Sequence, residues 1–236
     1  MKPTIIFDID DTLITNKKRR IYSLTQIAKY KQFKGIPEIQ CLQKINPKTA
    51  KNEYAIDGIL QDCKIPLEHH KPLKKAWIGH FLSHKSFSPQ SIGTPIEGAK
   101  EAVQYAKSEG YDIIYLTGRI YGEKRQIYKA TLNELAANDF PIGDKTELIM
   151  KPRLEDNDAI FKQEAIQRIK QTHDVHATFD DNPKNVQIFN QEFPKAINYA
   201  VLSNNPCQDF PQNSVCIQNL KDAVIPKIQK KKLHNL

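Results

Sequence analysis

Beyond Gly93 the chain alternates short apolar runs with longer stretches of helical spacing, and that rhythm admits few architectures. The apolar runs are Tyr111–Leu116, Thr146–Met150, Val175–Phe179 and Ala196–Leu202. Helices are predicted between them, from about Tyr121 to Ala137, Asp158 to Gln171 and Lys184 to Asn190. Strands connected through helices in this way build a parallel sheet covered on both faces. Pro3 to Ile9 has the character of a strand in the same sheet, apolar except at its carboxyl end, as a doubly buried strand requires. Thr94-Pro95-Ile96-Glu97 has the capping-box pattern and predicts a helix opening at Pro95 and stopping at Gly110. The expected fold class is therefore α/β, with a Rossmann-like parallel sheet and helices on both faces.

The segment from Asn16 to Gly93 breaks the rhythm. Lys, Gln, Asn and several prolines separate helical patches, the clearest from about Glu68 to His84, with Leu73, Trp77 and Phe81 at helical spacing. No strand is predicted there. The organisation expected is a core of residues 1–15 and 94–236, with 16–93 as a helical insert after the first strand. The insert holds 15 Lys and Arg against 5 Asp and Glu, and the last 16 residues hold five Lys and one Asp. With a net charge of +8, the rest of the chain is acidic. Such a basic segment attracts nucleic acid, phosphorylated substrates or a membrane surface, or simply keeps the protein soluble. The tail KIQKKKLHNL reads as a solvated helix end.

No apolar run approaches the roughly 18 residues of a membrane span, and Asp8 and Asp10 interrupt the first hydrophobic stretch, so no signal-peptide core is expected. Cys41, Cys63, Cys207 and Cys216 form no CxxC pair and are too sparse to staple a chain this long, so free thiols in a cytoplasmic protein are expected.

In an open parallel sheet, ligands bind beyond the carboxyl ends of the strands. The first strand ends in Asp8-Ile9-Asp10-Asp11-Thr12, a second in Thr117-Gly118-Arg119, and a later one in Asp180-Asp181-Asn182. Asp and Asn are common at strand ends as turn formers, but this many acidic groups at one edge repel one another unless a cation joins them. Carboxylate oxygens suit Mg²⁺, which keeps waters and a substrate phosphate in its shell. Lys151, closing LIMKPR, and Lys162, in the first turns of the helix opening near Asp158, are both candidates for the balancing ammonium.

IIFDIDDTLI at 5–14, IIYLTGR at 113–119, a downstream lysine and FDDNPKN at 179–185 together resemble the haloacid dehalogenase-like (HAD) phosphatase superfamily. The likeness covers about two thirds of the chain, and the insert falls where that superfamily often places a cap. It implies Asp8 as nucleophile through an aspartyl-phosphate, and Asp10 as general acid and then base. It implies Mg²⁺ on Asp8, the Asp10 carbonyl and Asp180, with Asp181 orienting metal-bound water or the lysine and Asn185 positioning the loop. Thr117 and the Gly118 amide would donate to the phosphoryl oxygens, and Thr12 would brace the loop. Asp11 stands where glycine is frequent. The stretch LIMKPRLEDNDAIFKQEAI further resembles the phosphatase domain of phage-type polynucleotide kinase-phosphatases and bacterial acid phosphatases. That likeness selects Lys162 for catalysis and leaves Lys151 and Arg119 as substrate contacts. No GxxxxGK[ST] loop for a kinase half occurs.

The implied activity is Mg²⁺-dependent phosphomonoester hydrolysis of a phosphorylated small molecule or a nucleotide or polynucleotide end. A signalling receiver uses similar groups but places its phosphorylated Asp on a central strand before the Thr. A phosphate-accepting or nucleic-acid-binding protein on this fold has no chemical need for the whole set of Asp8, Asp10, Thr117, Lys162 and Asp180. Three features of the insert carry secondary readings. His80 and His84 stand four apart and suit a metal only with a third ligand. Leu73, Trp77 and Phe81 suit a core stripe or a stacking platform, and Lys17 to Arg20 suit a solvated face or the steering of an anion towards Asp8.

Overall fold

The computed structural model describes residues 1–46, 56–122 and 125–228. Its strands are β1 (Lys2–Phe7), β2 (Ile14–Thr15), β3 (Thr94–Pro95), β4 (Asp112–Ile120), β5 (Thr146–Lys151), β6 (His173–Asp180), β7 (Ile197–Val201) and β8 (Val215–Ile217). Its α-helices are α1 (Lys17–Ile27), α2 (Ile39–Gln43), α3 (Ile56–Asp62), α4 (Leu67–Phe81), α5 (Ala99–Ser108), α6 (Gln126–Ala137), α7 (Asp158–Thr172) and α8 (Pro183–Glu192). The chain divides into two compact units: residues 1–14, 95–118 and 135–236, and residues 15–94 with 119–134. The second therefore takes in Arg119–Glu134, a stretch the sequence reading leaves with the sheet.

In the first unit six strands pair in the order β5-β4-β1-β6-β7-β8, and the registers given for β1 with β4 and β6, and for β7 with β6 and β8, are all parallel. This is the α/β class expected. Both sheet faces are buried: Ile5, Phe7 and Tyr115 enter one apolar cluster with α5, while Ile6, Ile114 and Leu116 enter another with α7 and α8. Phe7, Phe179 and Tyr199 are register partners on three neighbouring strands, and their rings stack at 4.7 and 4.6 Å. Burying each of these large side chains contributes about 1.5–3 kcal/mol, and a one-residue slip would expel the whole row. The row stands one residue before Asp8 and Asp180, so the same packing that fixes register aligns the two carboxylates.

The predicted capping box does not form. Thr94–Pro95 is instead β3, paired with β2, and the Ile96 amide donates to the Leu13 carbonyl at 2.9 Å. Glu97 pairs with Lys221 at 2.7 Å, and the helix begins only at Ala99. Gly98 explains the delay: its φ is +77°, and a Cβ there would lie 2.1 Å from the Lys221 amide nitrogen. The backbone tie between Leu220 and Glu97 at 2.9 Å outcompetes the cap. The stop at Gly110 does form, with φ at +97°.

The second unit packs α1 to α4 around Ile21, Leu24, Ile27, Phe33, Leu60 and Leu73. Leu73 lies in that core, Trp77 packs beside it and donates from Nε1 to the Arg20 carbonyl at 3.0 Å, and Phe81 stacks on Trp77 at 5.4 Å. The stripe thus packs as core. Arg19, grouped by sequence with the steering lysines, is buried, its guanidinium 4.6 and 4.5 Å from the Phe81 and Phe87 ring centres. His80 is buried at the end of α4, and His84 lies in the following 3₁₀ turn.

The cysteines correct the expectation of free thiols. Cys41–Cys63 and Cys207–Cys216 are disulfides, with Cα separations of 5.6 and 5.9 Å. Sequence separations of 22 and 9 residues gave no sign of pairing, because pairing depends on how α2 meets α3 and how the loop after β7 returns to β8. The cysteines therefore carry no argument for a reducing compartment. Among the described residues, no helix is long and apolar enough to cross a membrane. The tail beyond Ile228, read as a solvated helix end, lies outside the described residues.

Candidate active site

Sheet order decides which chemistry meets. Strands β5, β4, β1 and β6 are neighbours, and their carboxyl ends present Lys151, Thr117, Asp8 and Asp180 in that order. Asp8 follows Phe7, and its amide donates to the Phe179 carbonyl at 2.9 Å, next to Asp180. Thr117 lies two residues past Tyr115, the register partner of Phe7, and is buried.

Lys162 joins the set from the second turn of α7. Asn157 starts that helix by accepting from the amides of Ala159 and Ile160, at 3.0 and 3.2 Å. The buried Lys162 ammonium then donates to Asp8 Oδ1 at 2.8 Å and Asp180 Oδ2 at 2.7 Å. Asp180 Oδ1 accepts from the Asn182 amide and from Asn185 Nδ2, each at 2.9 Å. Asn185, expected to position the loop, thus holds the Asp180 carboxylate.

Burial and like charges set the protonation of this cluster. The Asp8 carboxyl is held well above the ordinary carboxylate range: burial raises it most, Lys162 opposes, and Asp180, Asp181 and Asp10 push it up further. Asp181 is pushed up to about 7 by burial and by Asp180 and Asp11, against Lys162 and an Asn204 hydrogen bond. Burial alone would lower the Lys162 ammonium, but Asp180 and Asp8 outweigh it and raise it. One ammonium is therefore too little positive charge for the carboxylates gathered here at neutral pH.

A divalent cation fits this deficit. Among the described residues no group of three or more His, Cys, Asp or Glu side chains is placed to hold a metal by themselves. Asp8 and Asp180, bridged by the Lys162 ammonium, could offer two carboxylates to a cation whose other positions stay open. Mg²⁺, which keeps waters and phosphate oxygens, is bound in this manner.

Several expected contacts fall elsewhere. The Arg119 guanidinium belongs to the second unit, where it pairs with Glu134 at 2.7 Å, both side chains 4% exposed, and donates to Thr131 at 3.3 Å. These partners fix the guanidinium of Arg119, the residue expected to contact substrate. Glu134→Ala leaves a buried cation without its carboxylate and is expected to cost about 3–5 kcal/mol in chemical denaturation. Lys151 stands at the end of β5, where it is buried and pairs with Asp158 at 2.5 Å. A Cβ on Gly118 would be 3.6 Å from that same carboxyl. Thr12 does not brace its loop: its hydroxyl is buried without a hydrogen-bond partner among the described residues. Backbone bonds to the Ile9 carbonyl from Leu13 and Ile14, each 2.9 Å, hold the loop instead.

Sequence reasoning missed Asp158, taken only as a helix start, and the run Ser203-Asn204-Asn205. That run follows an apolar strand directly, so the strand-end rule applied to the β7 run would have reached it.

No protein-family model and no curated protein matches this sequence. Solved structures do match in fold. A HAD hydrolase of family IA, variant 3, from Entamoeba histolytica HM-1:IMSS is similar at a TM-score of 0.51 and 13% identity, over 95% of this chain and 96% of that one. A haloacid dehalogenase-like hydrolase from Burkholderia xenovorans LB400 is similar at 0.51 and 13%, over 94% of each chain. The fold is thus the Rossmann-like α/β fold of HAD-superfamily hydrolases.

Proposed function

We propose that this protein is a Mg²⁺-dependent phosphomonoester hydrolase with Asp8 as its nucleophile. The observation that carries the reading is the buried ammonium of Lys162 bridging Asp8 and Asp180 at the carboxyl ends of adjacent parallel strands. An ion pair of this depth is a poor way to stabilise a fold, since well-packed apolar residues would do as well or better. It is a sound way to keep a carboxylate ionised where burial works against it.

In this reading Asp8 attacks phosphorus, forming an Asp8 oxygen–phosphorus bond as the ester oxygen leaves with a proton from Asp10. Asp10 then takes a proton from the water that cleaves the acyl-phosphate, releasing inorganic phosphate and restoring Asp8. Thr117 and the Gly118 amide donate to the phosphoryl oxygens, and Lys162 offsets their charge. Asp8, the Asp10 carbonyl and Asp180 would hold Mg²⁺, with Asp181 orienting the coordination sphere. When bound, the cation neutralises charge on the phosphoryl group and shields Asp8 from it. Lys151, released from Asp158, is the candidate substrate contact.

The basic segment 16–93 and the likeness of residues 148–166 to polynucleotide phosphatase domains favour nucleotide or polynucleotide ends over sugar phosphates. Phosphate release from p-nitrophenyl phosphate and from a panel of nucleotides, 5′- and 3′-phosphorylated oligonucleotides and sugar phosphates tests both levels. Release that requires Mg²⁺ and is stopped by EDTA is expected, with kcat/KM highest on the nucleic-acid substrates and falling with salt. Metal-independent release, or none on any substrate, overturns the hydrolase reading. Equal rates on sugar phosphates overturn the substrate class alone.

A further inference from the structure

We propose that the loop after β7 is a disulfide-held brace on the acidic site. In this proposal Ser203, Asn204 and Asn205 are positioning residues for Asp11 and Asp181, and the Cys207–Cys216 bond keeps them in place. The inference rests on the cation-binding reading above.

Three consecutive residues of the loop meet the two acidic turns. Ser203 Oγ donates to the Asp11 carbonyl. Asn204 Nδ2 donates to Asp11 Oδ2 and to Asp181 Oδ2, each at 3.4 Å. Asn205 Nδ2 donates to the Asp181 carbonyl at 3.0 Å. The Asn204 amide is thus a neutral donor shared by two carboxylates that repel each other. Asp11 needs this support for a second reason. Its φ is +60°, in the left-handed region that residues other than glycine adopt less readily. A loop that grips its carbonyl and its carboxylate holds that conformation.

Backbone bonds secure the start of the loop, where the Leu202 amide donates to the Ile217 carbonyl and the Ser203 amide to the Val201 carbonyl, each at 2.9 Å. Its far end is β8, a three-residue strand at the edge of the sheet. Between Asn205 and β8, Phe210 is buried with Val186 and Ala200, and Ser214 Oγ accepts from Asn190 Nδ2 at 2.9 Å. The disulfide ties Cys207, two residues past Asn205, to Cys216 within β8. Cys207 is exposed, so a dithiol reductant can reach it. The dithiol supplies two electrons and two protons: the Cys207–Cys216 bond breaks, two thiols form, and the reductant closes to its own disulfide. The brace is then held without its covalent tie, by the pairing of β7 with β8 and by the contacts of Phe210 and Ser214.

Mg²⁺ titration of the full chain without substrate, followed by the rise in thermal midpoint, reads the effect directly. Asn204→Ala, Cys207→Ser with Cys216→Ser, and the wild type treated with dithiothreitol are each expected to need about tenfold more Mg²⁺ for half the shift. Dithiothreitol is expected to leave the Cys207→Ser, Cys216→Ser protein unchanged, and Cys41→Ser with Cys63→Ser to titrate like the wild type. A lower metal-free midpoint with an unchanged Mg²⁺ requirement in both Asn204→Ala and the reduced wild type marks a merely structural role and overturns the inference. Failure of the wild type to respond to Mg²⁺ overturns the cation-site reading and the brace with it.

Discussion

Asp8→Asn is expected to abolish phosphate release, lowering kcat by about 10⁴-fold or more, while the metal-free protein stays as stable as the wild type or becomes more so. The two halves have one cause. Asp8 is 6% exposed, and its carboxyl is held well above the ordinary range by burial and by neighbouring carboxylates. Its ionised form is therefore disfavoured in the fold, and an uncharged amide removes that cost. Asparagine keeps an oxygen to accept from Lys162, so the bridge to Asp180 has a geometric substitute. Phosphate release at saturating Mg²⁺, beside chemical denaturation in EDTA, checks both halves. Retained turnover removes Asp8 from the nucleophile's role, and lost stability shows that the carboxylate supports the fold.

Lys162→Met is expected to have the opposite signature, losing both activity and metal-free stability. The ammonium is the buried counter-charge for Asp8 and Asp180, at 2.8 and 2.7 Å. Removing the cation leaves buried carboxylates uncompensated, at a cost of about 3–5 kcal/mol at neutral pH. The loss should depend on pH with a defined sign. Lys162 opposes the upward shift of the Asp8 carboxyl, so without it that group titrates higher still. A carboxyl raised in the folded state binds more protons folded than unfolded between its unfolded and folded pKa values. Stability therefore falls as pH rises through that window. The variant's deficit should be small near pH 4, where the folded Asp8 carboxyl is protonated with or without the lysine, and should grow towards pH 8. Thermal midpoints in EDTA across this range check it, and Mg²⁺ should recover part of the loss at the alkaline end. A deficit independent of pH would assign Lys162 a packing role.

Much of the first unit was legible in the sequence because its rule is local. A doubly buried strand must be apolar along its length, and the run from Pro3 to Ile9 ends at the residues where the strand reaches the sheet edge. The same rule placed Asp180 at the end of β6, but it stopped β4 at Leu116, whereas the strand runs on through Thr117 to Ile120. The lysine was harder. Both Lys151 and Lys162 suit the site by position, and α7 had to be placed against the sheet before the ammonium of Lys162 met Asp8 and Asp180 while that of Lys151 met Asp158. The capping box at Thr94 failed for the converse reason. A local preference worth about 1 kcal/mol yielded to strand pairing with Ile14–Thr15 and to the close approach of Lys221 at Gly98.

By itself, then, the sequence determined the layer architecture, the helical character of the described residues 16–46 and 56–93 and the carboxylates at the strand ends, because each follows from periodicity within a single element. Only the tertiary structure decided that Arg119 belongs to Glu134, that four cysteines are two disulfides, and that Ser203, Asn204 and Asn205 hold Asp11 and Asp181. These are contacts between residues up to 193 positions apart, and no spacing along the chain encodes them. They depend on strand order, which is set by how whole apolar faces pack and not by any one residue's preference.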